Sequence, residues 1–259
     1  MHRFAIVGAG LLSIAGLTGA ASAADLAPRT YTKAPVMAAV YDWSGFYIGL
    51  NGGGGSNHGC WDITSVAGVA LPASAREGCN TGSGGLVGGQ IGYRWQSAAW
   101  VFGLEAQGDW ADFKGTNASL TAIIPYNNET KTDAIGLFTG QIGYAWNNTL
   151  FYVKGGAAVT DNSYRSYFPV GIPLIPAGVA WNSASDTRWG GAVGGGIEFG
   201  FAPNWSVAVE YDHLFMGKPN ITFAPTAVAV GRADNISQDV DMGTVRLNYR
   251  FGGPVVAKY

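Results

Sequence analysis

The chain has 259 residues, a net charge of −2 and only 12% charged residues, which is about half the charged fraction of a typical soluble domain. It has no basic excess for nucleic acid, and its 47% hydrophobic content excludes intrinsic disorder. The length allows one all-β domain or two ordinary domains.

Residues 1–23 predict a secretory signal peptide. A short basic start, with Arg3, leads into an apolar run that ends on the small residues Ala21 to Ala23, a typical cleavage pattern. The glycine motif IVGAGLLS suggests a dinucleotide site as an alternative, but the cleavage pattern stands where the second strand of such a fold would begin. No later run of about 18 apolar residues follows, so the sequence predicts no membrane-spanning helix.

Residues 24–42 contain prolines and lack a hydrophobic period, which predicts a flexible periplasmic lead-in. Cys60 and Cys79 fit an exported protein, because disulfides persist in oxidising compartments. As a disulfide they would close a loop of about 20 residues. A metal site that includes His58 is the weaker alternative, since the spacing is irregular and at most three ligands are present.

One phrase occurs twice, as GQIGYRW at 89–95 and GQIGYAW at 140–146. Every second residue is apolar or aromatic, and the residues between them are small or polar, which is typical of a strand with two different environments. The single difference, Arg94 against Ala145, falls on the polar face. The same alternation predicts eight strands, within 43–52, 84–96, 100–110, 138–146, 150–159, 189–201, 205–212 and 243–251.

Short and long connections alternate between these strands. Short ones follow Gln96, Trp146 and Phe201, and the long ones span 58–82, 114–130, 165–187 and 219–238. This layout predicts an all-β fold: an eight-stranded antiparallel up-and-down transmembrane β-barrel over residues 43–252. It would have short periplasmic turns and four long outer loops. Residues 253–259 would form a C-terminal tail.

If the apolar face meets lipid, aromatic residues beside the short turns would form the periplasmic girdle of the barrel. These residues are Tyr93, Trp95, Trp100, Tyr144, Trp146, Phe151, Phe201, Trp205, Tyr249 and Phe251. Trp110, Trp189 and Tyr211 would help form the outer girdle.

The charged residues on the polar face would then point into the lumen. They are Arg94, Glu105, Asp109, Lys154, Glu198, Glu210, Asp212, Arg246 and Arg250. Eight strands enclose a space just wide enough for side chains, so we expect a salt-bridge and hydrogen-bond network there. A narrow ion-selective water path is the alternative.

No catalytic, cofactor or metal site is predicted. Glu210 and Asp212 share one face of a strand, but the lumen leaves little room for a substrate between carboxylates. Asp212 and His213 would point to opposite faces, which prevents their use as a base and its orienting acid. Haem or metal binding through His58, Tyr164 and Tyr167 in the outer loops is a further alternative.

Three stretches resemble one known family: DLAPR at 25–29, YDWSGFYIGLNGG at 41–53 and LNYRFGGPVVAKY at 247–259. They are similar to the outer-membrane immunogenic or porin-family β-barrels of alphaproteobacteria, the Omp25/Omp31 type. The resemblance covers essentially the whole chain and implies an outer-membrane barrel with surface-exposed loops. Some relatives are linked to haemin binding, others to weak porin activity or envelope integrity. Phe251 ends a strand similar to the signal for the outer-membrane assembly machinery, although it is not the last residue.

The sequence therefore favours a non-enzymatic outer-membrane barrel with an envelope structural role or a small-solute porin-like channel. One alternative is a surface ligand-binding protein, for haem or a cell-surface partner, acting through the outer loops. Another is a secreted soluble barrel of lipocalin type, which would place its apolar residues inward instead of toward lipid.

Overall fold

The computed structural model describes residues 41–225 and 231–252. The expected signal peptide, the lead-in up to residue 40 and the tail from residue 253 lie outside the described residues. The last part of the expected lead-in is described, and Tyr41 is buried in the barrel. The described ranges contain no helix that is long and apolar enough to cross a membrane.

The described residues form nine strands joined into one antiparallel sheet. They are β1 Gly45–Val66, β2 Val69–Ser97, β3 Trp100–Ala118, β4 Asn127–Trp146, β5 Thr149–Tyr167, β6 Ala180–Ala202, β7 Trp205–Phe215, β8 Asn220–Pro225 and β9 Arg232–Arg250. Eight of them close a ring in the order β1 to β7 and then β9, which pairs with β1. The predicted eight-stranded up-and-down barrel is thus confirmed. The short β8 pairs with β9 and β6 beyond the end of β7.

The strands are much longer than a bilayer requires, and this corrects the expected loop boundaries. β1 has 22 residues and β2 has 29, whereas about 9–11 residues cross a membrane. The predicted long loop at 58–82 is wrong, because β1 and β2 pair through it and turn at Ala67 and Gly68. Both turn residues have positive φ, 54° and 75°, as a two-residue hairpin turn of type I′ requires.

The other long connections are also shorter than expected. Residues 119–126 join β3 to β4, and residues 168–179 join β5 to β6. The fourth connection is partly occupied by β8 and the start of β9. The strands therefore continue beyond the bilayer at the end opposite the short turns, which lie on the periplasmic side in outer-membrane barrels.

The outward face of each strand carries exposed apolar side chains, which we call the lipid belt. Leu50, Leu104 and Val209 are examples, each more than 60% exposed. Together with the aromatic residues at its edges, this belt matches the apolar band of a transmembrane barrel. Apolar side chains on the outward face and buried polar groups on the inward face exclude the lipocalin-type arrangement, which requires the reverse.

The interior is a stack of apolar and polar layers. From the short-turn end, the apolar clusters are Tyr41, Trp43, Val101, Leu150 and Tyr152; then Leu86, Ala111, Phe113, Ile135, Leu137, Ala158, Ala192, Leu214, Met216, Val240 and Met242; then Trp61, Tyr164, Ile221, Phe223 and Ile236. The second cluster is called the central apolar layer below. Hydrogen-bonded polar side chains lie between these clusters.

Candidate functional site in the barrel lumen

Five of the nine predicted lumen charges form one buried ion cluster. Arg246 bridges Glu105, with Nη2 2.6 Å from Oε2, and Glu210, which Nη1 contacts. Lys154 Nζ lies 2.6 Å from Glu210 Oε1, 3.3 Å from Asp212 Oδ1 and 3.5 Å from Glu105 Oε1. All five side chains are at most 1% exposed. Buried charges at this depth persist only when they are paired in this way.

The other four predicted charges are buried as well, but they lie apart from this cluster. Arg94 and Glu198 form a separate ion pair of 2.8 Å. Asp109 accepts a hydrogen bond of 2.8 Å from Gln107. Arg250 donates to the backbone carbonyl oxygens of Ser44 and Pro203 near the periplasmic end.

Two tyrosines complete the ion cluster, and sequence reasoning missed their role. The Tyr47 hydroxyl donates to Glu105 Oε2 and the Tyr152 hydroxyl donates to Glu210 Oε2, each at 2.6 Å. The guanidinium of Arg94 also lies over the Tyr47 ring at 4.3 Å. Each tyrosine alternates with outward apolar residues along its strand. A tyrosine on the otherwise small or polar face of a strand was therefore the signal that could have predicted this role.

The repeated phrase has a structural explanation inside the barrel. Gln90 and Gln141 both point inward, and they donate to Asn248 at 2.7 Å and to Tyr47 at 3.0 Å. Where the first copy has Arg94, the second has Ala145, which packs against the apolar cluster at the periplasmic end. The two copies share the strand pattern and differ where the lumen needs a charge or a small side chain.

A glycine of the first copy is required by close approach. A Cβ at Gly92 would lie 2.5 Å from the ring and hydroxyl of Tyr47. Any larger residue would displace the tyrosine that donates to Glu105.

A second buried polar group lies in the outer part of the barrel, beyond the lipid belt. We call Glu77, Tyr126, Asn128, Arg232 and Asp234 the outer polar cluster. Arg232 lies 3.1 Å from Glu77 Oε2 and 2.9 Å from Asp234 Oδ2. Tyr126 and Asn128 also donate to the Glu77 carboxylate. Sequence reasoning missed this cluster, because all five of its members fell in segments expected to be loops.

The pKa values of the two acids in the outer polar cluster are shifted in opposite directions. Burial alone would raise the pKa of Glu77, but Arg232 and the donated hydrogen bonds outweigh it and hold that pKa below its usual value. Burial raises the pKa of Asp234 to about 7, even though Arg232 favours its charged form, and the nearby Glu77 and Asp62 carboxylates add to the rise. Burial likewise raises the pKa of Tyr126 to about 12.

Aromatic rings surround the guanidinium of Arg232. The ring centroids of Phe223, Tyr126, Trp61 and Trp181 lie between 4.9 and 5.6 Å from its central carbon. Cation–π contact of this kind stabilises a charge that is removed from water. The outer end of the lumen is therefore filled by a paired cation and rings.

All ten residues predicted for the periplasmic girdle point outward near the short turns. Neighbouring rings touch, as in Trp100 with Tyr144 at 5.6 Å and Trp205 with Tyr249 at 5.0 Å. At the other edge of the belt, Trp110 and Trp189 are exposed, and Trp189 stacks on Phe138 at 6.3 Å.

Cys60 and Cys79 form a disulfide, with their Cα atoms 4.0 Å apart. They stand directly opposite each other on β1 and β2. The bond therefore joins two paired strands beyond the lipid belt, where sequence analysis expected a loop.

The residues considered for haem or metal binding do not converge. His58 is exposed on β1 and contacts Thr81, whereas Tyr164 is buried and accepts a hydrogen bond from Arg188. Both lie in strands, which corrects their expected place in outer loops, and Tyr167 is the last residue of β5. Across the described part of the chain, no group of three or more His, Cys, Asp or Glu residues could hold a metal ion.

Comparison with known proteins agrees with this architecture. The family described as outer membrane protein beta-barrel domain matches residues 9–251. The 31 kDa outer-membrane immunogenic proteins of Brucella melitensis and Brucella suis are 30% identical over 258 residues, covering 93% of this chain and 98% of each relative. The crystal structure of the outer membrane protein OprG from Pseudomonas aeruginosa has a TM-score of 0.51 at 13% identity. That likeness covers 83% of this chain and 99% of OprG and concerns the fold alone.

Proposed function

Because this chain belongs to the outer-membrane β-barrel family, together with the 31 kDa immunogenic proteins, we propose that it is a non-enzymatic envelope protein with a closed lumen. In this proposal the barrel anchors the long strands and their loops at the cell surface. It does not serve as a solute path.

The central apolar layer is the observation that carries the proposal. Phe113, Leu137, Leu214 and Val240 are fully buried within it, and they come from four different strands around the ring. β1 contributes Gly55, against which the Phe113 ring packs closely. An ion that crossed this layer would lose its hydration without gaining a polar partner, and apolar constrictions close channels for this reason.

The polar layers on either side support the same conclusion. In the ion cluster, Arg246 and Lys154 are held by the carboxylates around them. The outer polar cluster lies among aromatic rings at the other end. Lys154 Nζ lies 2.6 Å from Glu210 and 3.3 Å from Asp212, so the cation occupies the space that a substrate between these carboxylates would need.

Single-channel recording in a planar bilayer tests the closed lumen. We expect the refolded chain to give no steady openings, with a heat-dependent shift in an unboiled detergent gel as the folding control. The double variant Phe113→Ala and Leu137→Ala should conduct, because it removes two side chains from the central apolar layer.

The matched control truncates two side chains of similar kind on the lipid face, Leu104→Ala and Val209→Ala, and should stay silent. Steady, salt-dependent openings from the unmodified chain would contradict the proposal and favour a small-solute porin.

A further inference from the structure

The outer ends of three hairpins carry no charge. The segments 64–75, 115–128 and 166–185 contain no Asp, Glu, Lys, Arg or His. Each includes the connection between two long strands. Loops in water usually carry charged and polar residues, so the absence of charge from these three segments needs a physical reason.

The same three ends expose aliphatic side chains. Ile123 is 100% exposed, Leu174 79% and Leu120 73%. The other exposed members are Val66, Val69, Ile124, Val170 and Val179. Groups of exposed apolar side chains mark sites of contact with a partner or a membrane. We call these eight side chains the apolar rim.

Two of the three loops that present the apolar rim are held in place. Tyr126 and Phe168 pack with Trp181, with ring centroids 5.2 to 6.1 Å apart, and so join the second loop to the third. The Leu120 N–H donates to the Glu77 carbonyl oxygen at 3.0 Å, which ties the second loop to β2. The rim therefore needs little ordering when it binds.

The backbone of the third loop satisfies much of its own hydrogen bonding. Ile172 and Ile175 exchange two backbone hydrogen bonds, and Gly178 donates to Phe168. Three prolines in 168–179 have no N–H to donate. In hydrocarbon each unpaired backbone group is costly, so a loop of this kind suits an apolar phase.

The rim cannot reach the bilayer that the barrel itself spans. From Val159, which pairs with Trp189 at the edge of the lipid belt, to Tyr167 the strand runs about 26 Å along its own length, which is roughly 19 Å above the belt at a tilt of about 45°. The partner is therefore a surface that faces the cell.

The composition of the rim favours lipid over protein. Protein interfaces concentrate their binding energy in Trp, Tyr and Arg, with Leu and Val under-represented, whereas the rim exposes Ile, Leu and Val. With no charge, it would insert without desolvating ions and without needing a lipid of opposite sign.

We propose that the apolar rim inserts into the hydrocarbon of a facing lipid membrane and makes this protein a membrane-contact module. The inference rests on one part of the proposed function, namely that the barrel displays the apolar rim at the cell surface. Its partner is the acyl region of a bilayer, whatever the headgroup charge.

The test uses the full chain in nanodiscs, which cover the lipid belt, mixed with sucrose-loaded vesicles of neutral phosphatidylcholine. The nanodiscs should sediment with the vesicles equally at low salt and in 1 M salt. Ile123→Asp with Leu174→Asp should lower the partition coefficient by at least about 10-fold. Leu174→Asp alone should give an intermediate loss.

The matched control, Thr81→Asp with Ser83→Asp, adds the same two charges to exposed positions of β2 outside the three uncharged segments and should bind as the unmodified chain does. A heat-dependent gel shift shows that each variant is folded.

Three results would overturn the inference: no sedimentation of the unmodified chain, sedimentation lost in high salt, or equal binding by the rim variants. Nanodiscs that pair with each other through the rim without vesicles would identify a second copy as the partner and also overturn it. A conducting barrel would contradict the closed lumen and leave this inference intact, so the two failures are distinguishable.

Discussion

At the scale of the residue, Asp234 shows how position sets the chemistry of a side chain. Its carboxyl is fully buried beside Arg232, yet burial outweighs that partner and raises its pKa to about 7. The usual value of an aspartate in an unfolded chain is about 3.9. The folded protein thus holds a proton on Asp234 at pH values where the unfolded chain has lost it.

This difference predicts a stability that falls with rising pH. Between about pH 4 and 7 the folded state binds one proton more than the unfolded chain, so the stabilisation is present at acidic pH and is lost as pH rises through about 7. Glu77, whose pKa is lowered, changes the stability of the fold only at more acidic pH. The thermal midpoint in detergent should be at least about 3 °C higher at pH 5.5 than at pH 8.5.

Asp234→Asn is the comparison that isolates this effect, because groups elsewhere titrate alike in both proteins. The variant should lose most of the difference between the two pH values. An unchanged pH dependence would assign the effect to other groups.

At the scale of the element, the β1–β2 hairpin is the longest part of the barrel to stand outside the bilayer. Its two strands remain paired from Gly45 with Arg94 to Val66 with Val69. Trp61 stacks on Phe223 at 5.4 Å and meets Tyr164 at 5.6 Å. The extension therefore has an apolar core of its own, and strand length follows that core instead of membrane thickness.

The disulfide should stabilise this extension locally. Cys60→Ser with Cys79→Ser removes a link around a loop of about 20 residues, which is worth roughly 3 kcal/mol in the chain-entropy model. We expect faster protease cleavage between residues 56 and 83, with the heat-dependent gel shift of the barrel unchanged.

Ser56→Ala with Ser83→Ala is the matched control, since this pair also faces across β1 and β2 without a covalent link. It should leave cleavage unchanged. Loss of the gel shift in the cysteine variant would instead mean that the disulfide supports the whole barrel.

At the scale of the whole molecule, the ion cluster ties distant strands together across the lumen. Arg246 on β9 holds Glu105 on β3 and Glu210 on β7. Lys154 on β5 joins the same carboxylates. The ring is thus closed by backbone pairing around its circumference and by ion pairs through its centre.

Arg246→Ala should therefore destabilise the barrel by about 3–5 kcal/mol, because it leaves two buried carboxylates with too little positive charge. Urea unfolding in detergent micelles measures the change.

Arg250→Ala is the control, since Arg250 binds backbone carbonyl oxygens near the periplasmic end. It should cost less, about 1.5–3 kcal/mol for hydrogen bonds to a charged group. Equal losses of unfolding free energy in the two variants would show that the cross-barrel ion pairs stabilise the barrel no more than hydrogen bonds to backbone oxygens do.

The sequence by itself determined the barrel and the direction of its side chains wherever the two faces of a strand differ. Within the lipid belt, apolar residues such as Leu104 alternate with polar ones such as Glu105, and a period of two assigns each to lipid or lumen. That contrast was enough to predict eight strands, the girdle positions and the inward charges.

Only the tertiary structure decided which inward groups meet. Period two gives the face of Arg94 but not its partner, because Glu198 lies far away along the chain and approaches only when the ring closes. The central apolar layer is a similar case, since Leu86, Phe113 and Leu214 come together only in the closed barrel.

The extent of the strands beyond the bilayer was likewise a property of the tertiary structure. There the inward face carries buried polar residues such as Asn57, Thr132 and Asn162, while the outward face carries His58 and Lys131. Both faces are polar, so the alternation that marks a strand disappears from the sequence. Pairing with neighbours and burial beneath the outer loops determine the fold of that region.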